Sequence, residues 1–173
     1  NLKTGTASST DTSNTAKIGT DTLVDIENII AGEFNDTLIG NASPNSIDGG
    51  LGIDTVVYDS AKVTTTKSST SILINGDTLT NIERVQFTDT SVAFDIAGAN
   101  SAGGIYRTYQ AAFNRTPEKT GFGYWIDRAD NGASAVQMAE EFVWSAEFQA
   151  LNDVTANDSY LTGNNIEAVV DLF

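Results

Sequence analysis

The sequence has no histidine and no cysteine. Ser-His-Asp and Cys-His catalysis are therefore excluded within these residues, and so are disulfides and ordinary zinc sites. What remains for a metal is oxygen ligation, which suits calcium or magnesium. Positive charge is scarce as well: 9 Lys+Arg stand against 23 Asp+Glu, a net charge of −14 at pH 7. Nucleic acid and anionic lipid both need a basic footprint that this composition does not supply. Cations are the expected partners. No stretch is long and apolar enough to form a transmembrane segment. Asn1 to Thr22 lacks the basic-then-apolar order of a secretory signal. There is no initiating Met, so a fragment or processed product is expected. The missing cysteines suit a protein exported without oxidative folding.

Against these absences, 40% of the 173 residues are hydrophobic, enough for a core. Composition divides the chain near Gly98–Gly104. Residues 1–20 carry almost no apolar periodicity and read as a lead-in. Residues 21–97 alternate Thr, Ser, Asn, Asp and Gly with short β-branched runs. Residues 98–104 are small and Gly-rich, as a linker would be. Residues 105–173 place aromatics at helical spacing and read as a helical module, its end truncated.

Two repeats lie in the upstream region. The shorter has a period of nine: Ala31–Ile39, then Gly40–Asp48, then Gly49–Val57. Its sixth position reads Asp36, Asn45, Asp54, and its eighth reads Leu38, Ile47, Val56. One unit earlier, Glu27 and Ile29 fall at the same positions. The longer repeat sets Asp21–Ile29 against Asp77–Val85 as D-T-L-x-x-I-E-x-I/V. Each nine-residue unit pairs a Gly-rich turn with a short strand that turns one apolar residue inward. Two units make one coil, so positions eighteen apart stack. Stacked strands sit about 4.8 Å apart and calcium–oxygen bonds measure about 2.4 Å. A cation between rungs can thus reach both Asp36 and Asp54. Turn carbonyls near Gly32, Gly50 and Gly52 are candidates to complete its shell. Glu27 and Asn45 form a second, weaker candidate pair on the opposite side. No sixth-position acid follows Asp54 at the eighteen-residue interval, where Val63 follows Asn45. The alternative is that these are ordinary Asx-Gly turns in which Asp and Asn cap backbone groups.

Gly49-Gly50-Leu51-Gly52-Ile53-Asp54-Thr55-Val56-Val57 fits the GGxGxDxUx nonapeptide in full and resembles the RTX (hemolysin-type) calcium-binding repeat. The two preceding units are degenerate. The segment Leu79–Phe87 is similar to the stretch that closes RTX rolls in secreted bacterial proteins. The resemblance implies α+β architecture: a short parallel β-roll with β closure, followed by a small α-helical module.

Downstream, Ile105, Tyr106, Tyr109, Ala112 and Phe113 share a helical face. Thr116-Pro117 restarts the chain, with Pro suited to a first helical position. A second helix is expected through Tyr124, Trp125 and Ile126. Ser134-Ala135-Val136-Gln137 is a capping box for a third, and Ser145 starts a fourth. Ile166, Val169, Val170 and Phe173 begin a further apolar face. The runs Tyr106–Pro117, Gly121–Trp125 and Ser145–Phe148 resemble a helical domain of unknown function found in RTX exoproteins and S-layer-type surface proteins. Tyr106, Tyr109, Trp125, Trp144 and Phe148 could form a sugar-stacking platform or a core. Arg107, Arg115 and Arg128 could grip an anionic glycan or pair with Glu140, Glu141 or Glu147.

No G-x-S-x-G or H-E-x-x-H motif is present. Asp127–Gly132 mimics the start of an EF-hand, but Ala129 and Met138 spoil the ligand pattern. The resemblances together imply a non-catalytic, calcium-binding C-terminal region of a type I-secreted bacterial protein, secreted or held at the cell surface. Calcium is the implied cofactor. Cell-surface polysaccharide or other surface proteins are the implied partners. A glycan-binding module, or an accessory region of a secreted enzyme with its catalytic domain elsewhere, are the alternatives.

Overall fold

The computed structural model describes residues 1–8, 20–22 and 24–152. They form two compact units that divide between Phe94 and Asp95. In the first, the strands are β1 (Thr6–Ser8), β2 (Thr20–Thr22), β3 (Asn28–Ile30), β4 (Thr37–Leu38), β5 (Ser46–Asp48), β6 (Thr55–Val57), β7 (Thr65–Lys67), β8 (Ile72–Ile74), β9 (Asp77–Thr80), β10 (Arg84–Gln86) and β11 (Ser91–Ala93). The second holds α1 (Ala102–Phe113), α2 (Lys119–Asp130), α3 (Ala135–Val143) and α4 (Ala146–Asn152). The apolar face expected over residues 166–173 lies outside the described residues.

The nine-residue units deal their strands alternately to two sheets, because a turn precedes each strand and changes the chain's direction. β3 and β5 run parallel in one sheet, with Asn28 beside Ser46. β4 and β6 run parallel in the other, with Thr37 beside Thr55. Both registers are offset by the eighteen residues of two units.

The parallel β-roll that the period implies is nevertheless not the architecture. Both sheets are mixed, in the orders β3-β5-β9-β8-β7 and β4-β6-β10-β11, and no closed roll forms. The period stops at Val57, and the chain beyond it folds back on itself. Asn75 and Gly76, at φ 52° and 94°, supply the left-handed pair of a tight hairpin turn. β8 therefore pairs antiparallel with β9, β7 with β8, and β10 with β11. Only β9 and β10 continue the parallel stacking, on β5 and β6. Residues from both sheets share one core: Ile47, Val56, Ile74, Leu79 and Val85 are almost wholly enclosed.

In the helical unit, α1 starts three residues before the periodicity becomes visible, at Ala102. The Ser101 hydroxyl accepts from the Gly104 amide at 2.9 Å and caps it. Pro117 lies one residue before the N-cap of α2, Glu118, rather than in the first helical position. The Ser134–Gln137 capping box forms in full. Tyr109, Phe113 and Trp125 each pack edge-on against Phe142 at ring separations of 4.5–5.3 Å.

Candidate cation site

The strand registers stack the sixth-position residues into two columns. The first contains Asp36, Asp54 and, because Thr55 lies beside Arg84, Glu83. The second contains Glu27, Asn45 and, because Ser46 lies beside Thr78, Asp77. The eighteen-residue rule missed both Glu83 and Asp77, since the chain from Tyr58 to Gly76 forms the antiparallel strands β7 and β8 before the parallel stacking resumes at β9. The signal that could have found Glu83 is the longer repeat, which aligns it with Glu27.

Within the columns, a carboxylate accepts the backbone amide of the rung before it. Asp54 Oδ1 accepts from Asp36 N at 2.8 Å, and Glu83 Oε2 from Asp54 N at 2.9 Å. Asp77 Oδ1 accepts from Asn45 N at 2.7 Å. These bonds run between rungs, unlike the local capping of ordinary Asx-Gly turns, and one acceptor is a glutamate. They align successive rungs and leave each carboxylate one further oxygen.

That second oxygen separates Asp54 from the others. Asp36 Oδ2 accepts from Gly32 N, four residues earlier, at 3.0 Å. Asn45 Oδ1 accepts from Asn41 N, also four earlier, at 2.9 Å, while its Nδ2 donates to Asn41 Oδ1. Asp77 Oδ2 accepts from the Tyr58 hydroxyl at 2.7 Å. Asp54 alone among these breaks the pattern. The amide four residues before it, Gly50 N, donates instead to Asp48 Oδ1 at 3.1 Å. Asp54 is 0% exposed, and its Oδ2 has no hydrogen-bond partner. Burial pushes its carboxyl pKa up. The Asp36 amide bond opposes that, and the Asp36 and Asp48 carboxylates reinforce it.

The glycines of the strict unit are fixed by close approach. A Cβ on Gly49 would strike the Asn81 carbonyl and come within 2.6 Å of Asp54 Oδ2. One on Gly50, at φ 86°, would strike the Gly32 carbonyl. Gly32 O also accepts from Leu51 N at 3.1 Å, which ties together two turns one coil apart. Gly52 lies against the backbone of Phe34.

The structure thus brings Asp36, Asp54, Gly32 and Gly50 to one pair of turns. The donor chemistry there, all oxygen with one orphaned buried carboxylate oxygen, fits a hard cation. Among the described residues, no three acidic side chains gather into a group that could by itself hold a metal ion. A cation here must therefore take carbonyls or water as well. The Glu27–Asn45 pair does not offer such a site: Glu27 is exposed and the Asn45 amide is committed to Asn41.

The aromatic candidates of the helical unit separate by burial. Tyr109 and Trp125 lie in the core, whereas Trp144 is 46% exposed. They do not form one sugar-stacking face. Arg115 forks onto Glu147 at 2.7 and 3.0 Å and reaches Glu118 at 2.6 Å. Arg128 pairs with Glu141, and Arg107 donates to the carbonyls of Ile96 and Gly98. Each guanidinium is engaged within its own unit. Among the described residues, no helix is long and apolar enough to cross a membrane.

No curated protein and no solved structure matches the chain. One family model does, over residues 97–152: it is described as a domain of unknown function (DUF4214), and it covers α1 to α4 of the helical unit.

Proposed function

We propose that the chain is a non-catalytic, calcium-stabilised region of an exported bacterial surface or extracellular protein. The upstream unit binds calcium at Asp54 and Asp36, and the helical unit is a companion module. One observation carries the reading: Asp54 is wholly enclosed, yet its Oδ2 has no donor. A buried, unpaired carboxylate oxygen is costly to leave unmet, and a divalent cation meets it directly. The acidity of the whole chain and the strict GGxGxDxUx turn around Asp54 support calcium over a basic partner. Bound calcium would link the two turns that bear Asp36 and Asp54. An exported protein meets calcium outside the cell, so folding there would follow export.

Titration calorimetry tests this. The chain should bind calcium with an affinity of roughly 10⁻⁴–10⁻³ M, the range of extracellular modules. The Asp36→Ala/Asp54→Ala protein should give no binding heat. Equal heats from both proteins, or none from either, would end the proposal.

A further inference from the structure

Three units place a sixth-position side chain after a turn, and in two of them that side chain caps the amide four residues earlier: Asp36 takes Gly32 N, and Asn45 takes Asn41 N. In the third, Asp48 intervenes. Its Oδ1 accepts from Gly50 N at 3.1 Å and from Asn81 Nδ2 at 2.8 Å. Gly50 sits at φ 86°, a left-handed conformation that neither Gly32 nor Asn41 adopts. The amide that would have satisfied Asp54 is thereby diverted, and Asp54 Oδ2 is left buried without a donor.

We propose that Asp48 is a positioning residue for the cation: by holding the Gly50 amide, it keeps Asp54 Oδ2 available as a ligand. This rests on the calcium reading above. Asp48 belongs to the unit before the strict one and occupies its last place, so the nine-residue pattern gives it no role. In its absence the Gly50 amide is free to turn to Asp54, as its counterparts turn to Asp36 and Asn45. The turn would then satisfy itself. Calcium would have to break a hydrogen bond to a charged acceptor before binding. The half-buried Asp48 carboxylate also adds a third negative charge to the cation's surroundings.

Two variants test this on the whole chain, with calcium affinity and the melting temperature in chelator as readouts. Asp48→Ala should bind calcium at least about tenfold more weakly, since displacing a charge-assisted bond is worth that much. Its melting temperature in chelator should be no lower than the wild-type value, because Asp54 gains a donor. Asp48→Asn keeps the acceptor for Gly50 and Asn81 and should stay within about threefold of wild-type affinity, the remainder being lost charge. A merely structural role would lower the chelated melting temperature of Asp48→Ala along with its affinity, and that result would overturn the proposal. Unchanged calcium affinity in Asp48→Ala would overturn the role of Asp48 alone. No calcium response in the wild type would overturn the calcium reading and the role of Asp48 with it.

Discussion

Asp54 and Asp77, one in each column, both accept the backbone amide of the preceding rung, and they differ in what meets the second oxygen. Both are buried. Asp77 receives Asn45 N on one oxygen and the Tyr58 hydroxyl on the other. The hydroxyl does for Asp77 what a cation would do for Asp54. Burial, and then the Asp77 carboxylate, push the Tyr58 pKa well above its ordinary value, so the phenol remains a donor at any physiological pH. Tyr58→Phe removes that donor and strands Asp77 Oδ2. The variant should lose roughly 1–3 kcal/mol, the usual cost of a buried unsatisfied polar group. Urea unfolding of the upstream unit, followed by its β signal, measures it. A loss close to zero would mean that water replaces the hydroxyl. At this scale the sequence reveals only part of the site. Asp36 and Asp54 are visible through their eighteen-residue interval. Asp77 and Glu83 join the columns across intervals of 32 and 29 residues, which no fixed period reports. The isolation of Asp54 Oδ2 depends on which carboxylate wins the Gly50 amide, a contest that spacing cannot decide.

Among elements, the short strands were legible where turn chemistry repeats and illegible where it stops. Thr37 stacks on Thr55 because two turn-and-strand units of equal length separate them. Past Val57 the chain is β-branched without a Gly-rich turn every nine residues, so antiparallel pairing takes over and both sheets become mixed. The helices were legible for a different reason: period and caps are local. Their mutual placement is not local, and Arg115 contributes to it. This residue follows α1 and binds Glu118 at the start of α2 and Glu147 in α4, with its guanidinium over the Tyr109 and Phe113 rings. Its fork geometry is what a lysine cannot reproduce. Arg115→Lys should lower the melting temperature of the helical signal, with the loss concentrated in the packing of α4. The pairing also sets a pH dependence. Hydrogen bonds from Arg115 hold the Glu118 and Glu147 pKa values below the ordinary glutamate value. Their stabilisation is therefore complete above the unfolded-state pKa of about 4.3 and is lost as pH falls through the lowered folded values. The wild-type melting temperature should drop on acidification below that point more steeply than that of Arg115→Lys. Parallel curves would show that the three charges are not coupled in solution.

For the molecule as a whole, the two units differ in what holds them together. The helical unit closes around Tyr109, Phe113, Trp125 and Phe142, and its charges pair locally. The upstream unit is built from strands of two to four residues, so each rung contributes little apolar area. Its rungs also set Asp54 against the Asp36 and Asp48 carboxylates, in a chain of net charge −14. A bound cation cancels that repulsion and adds a stabilisation of RT ln(1 + [L]/Kd), about 2.7 kcal/mol at a hundredfold excess of ligand over Kd. Single domains are commonly stable by only about 5–15 kcal/mol, so this increment is a large part of the total. Calcium should accordingly act as a folding switch for the upstream unit and leave the helical unit unaffected. Circular dichroism in excess chelator should lose β signal at a lower temperature than with calcium present, while keeping its helical minima. Thermal unfolding should then split, with the β transition rising in temperature as calcium is restored and the helical transition fixed. Asp54→Asn should behave at all calcium concentrations like the wild type in chelator, apart from relief of one charge. A β signal and a β transition that ignore chelator would sink the switch, and would mean that the strands and the carboxylate-to-amide bonds between rungs hold the unit without a metal.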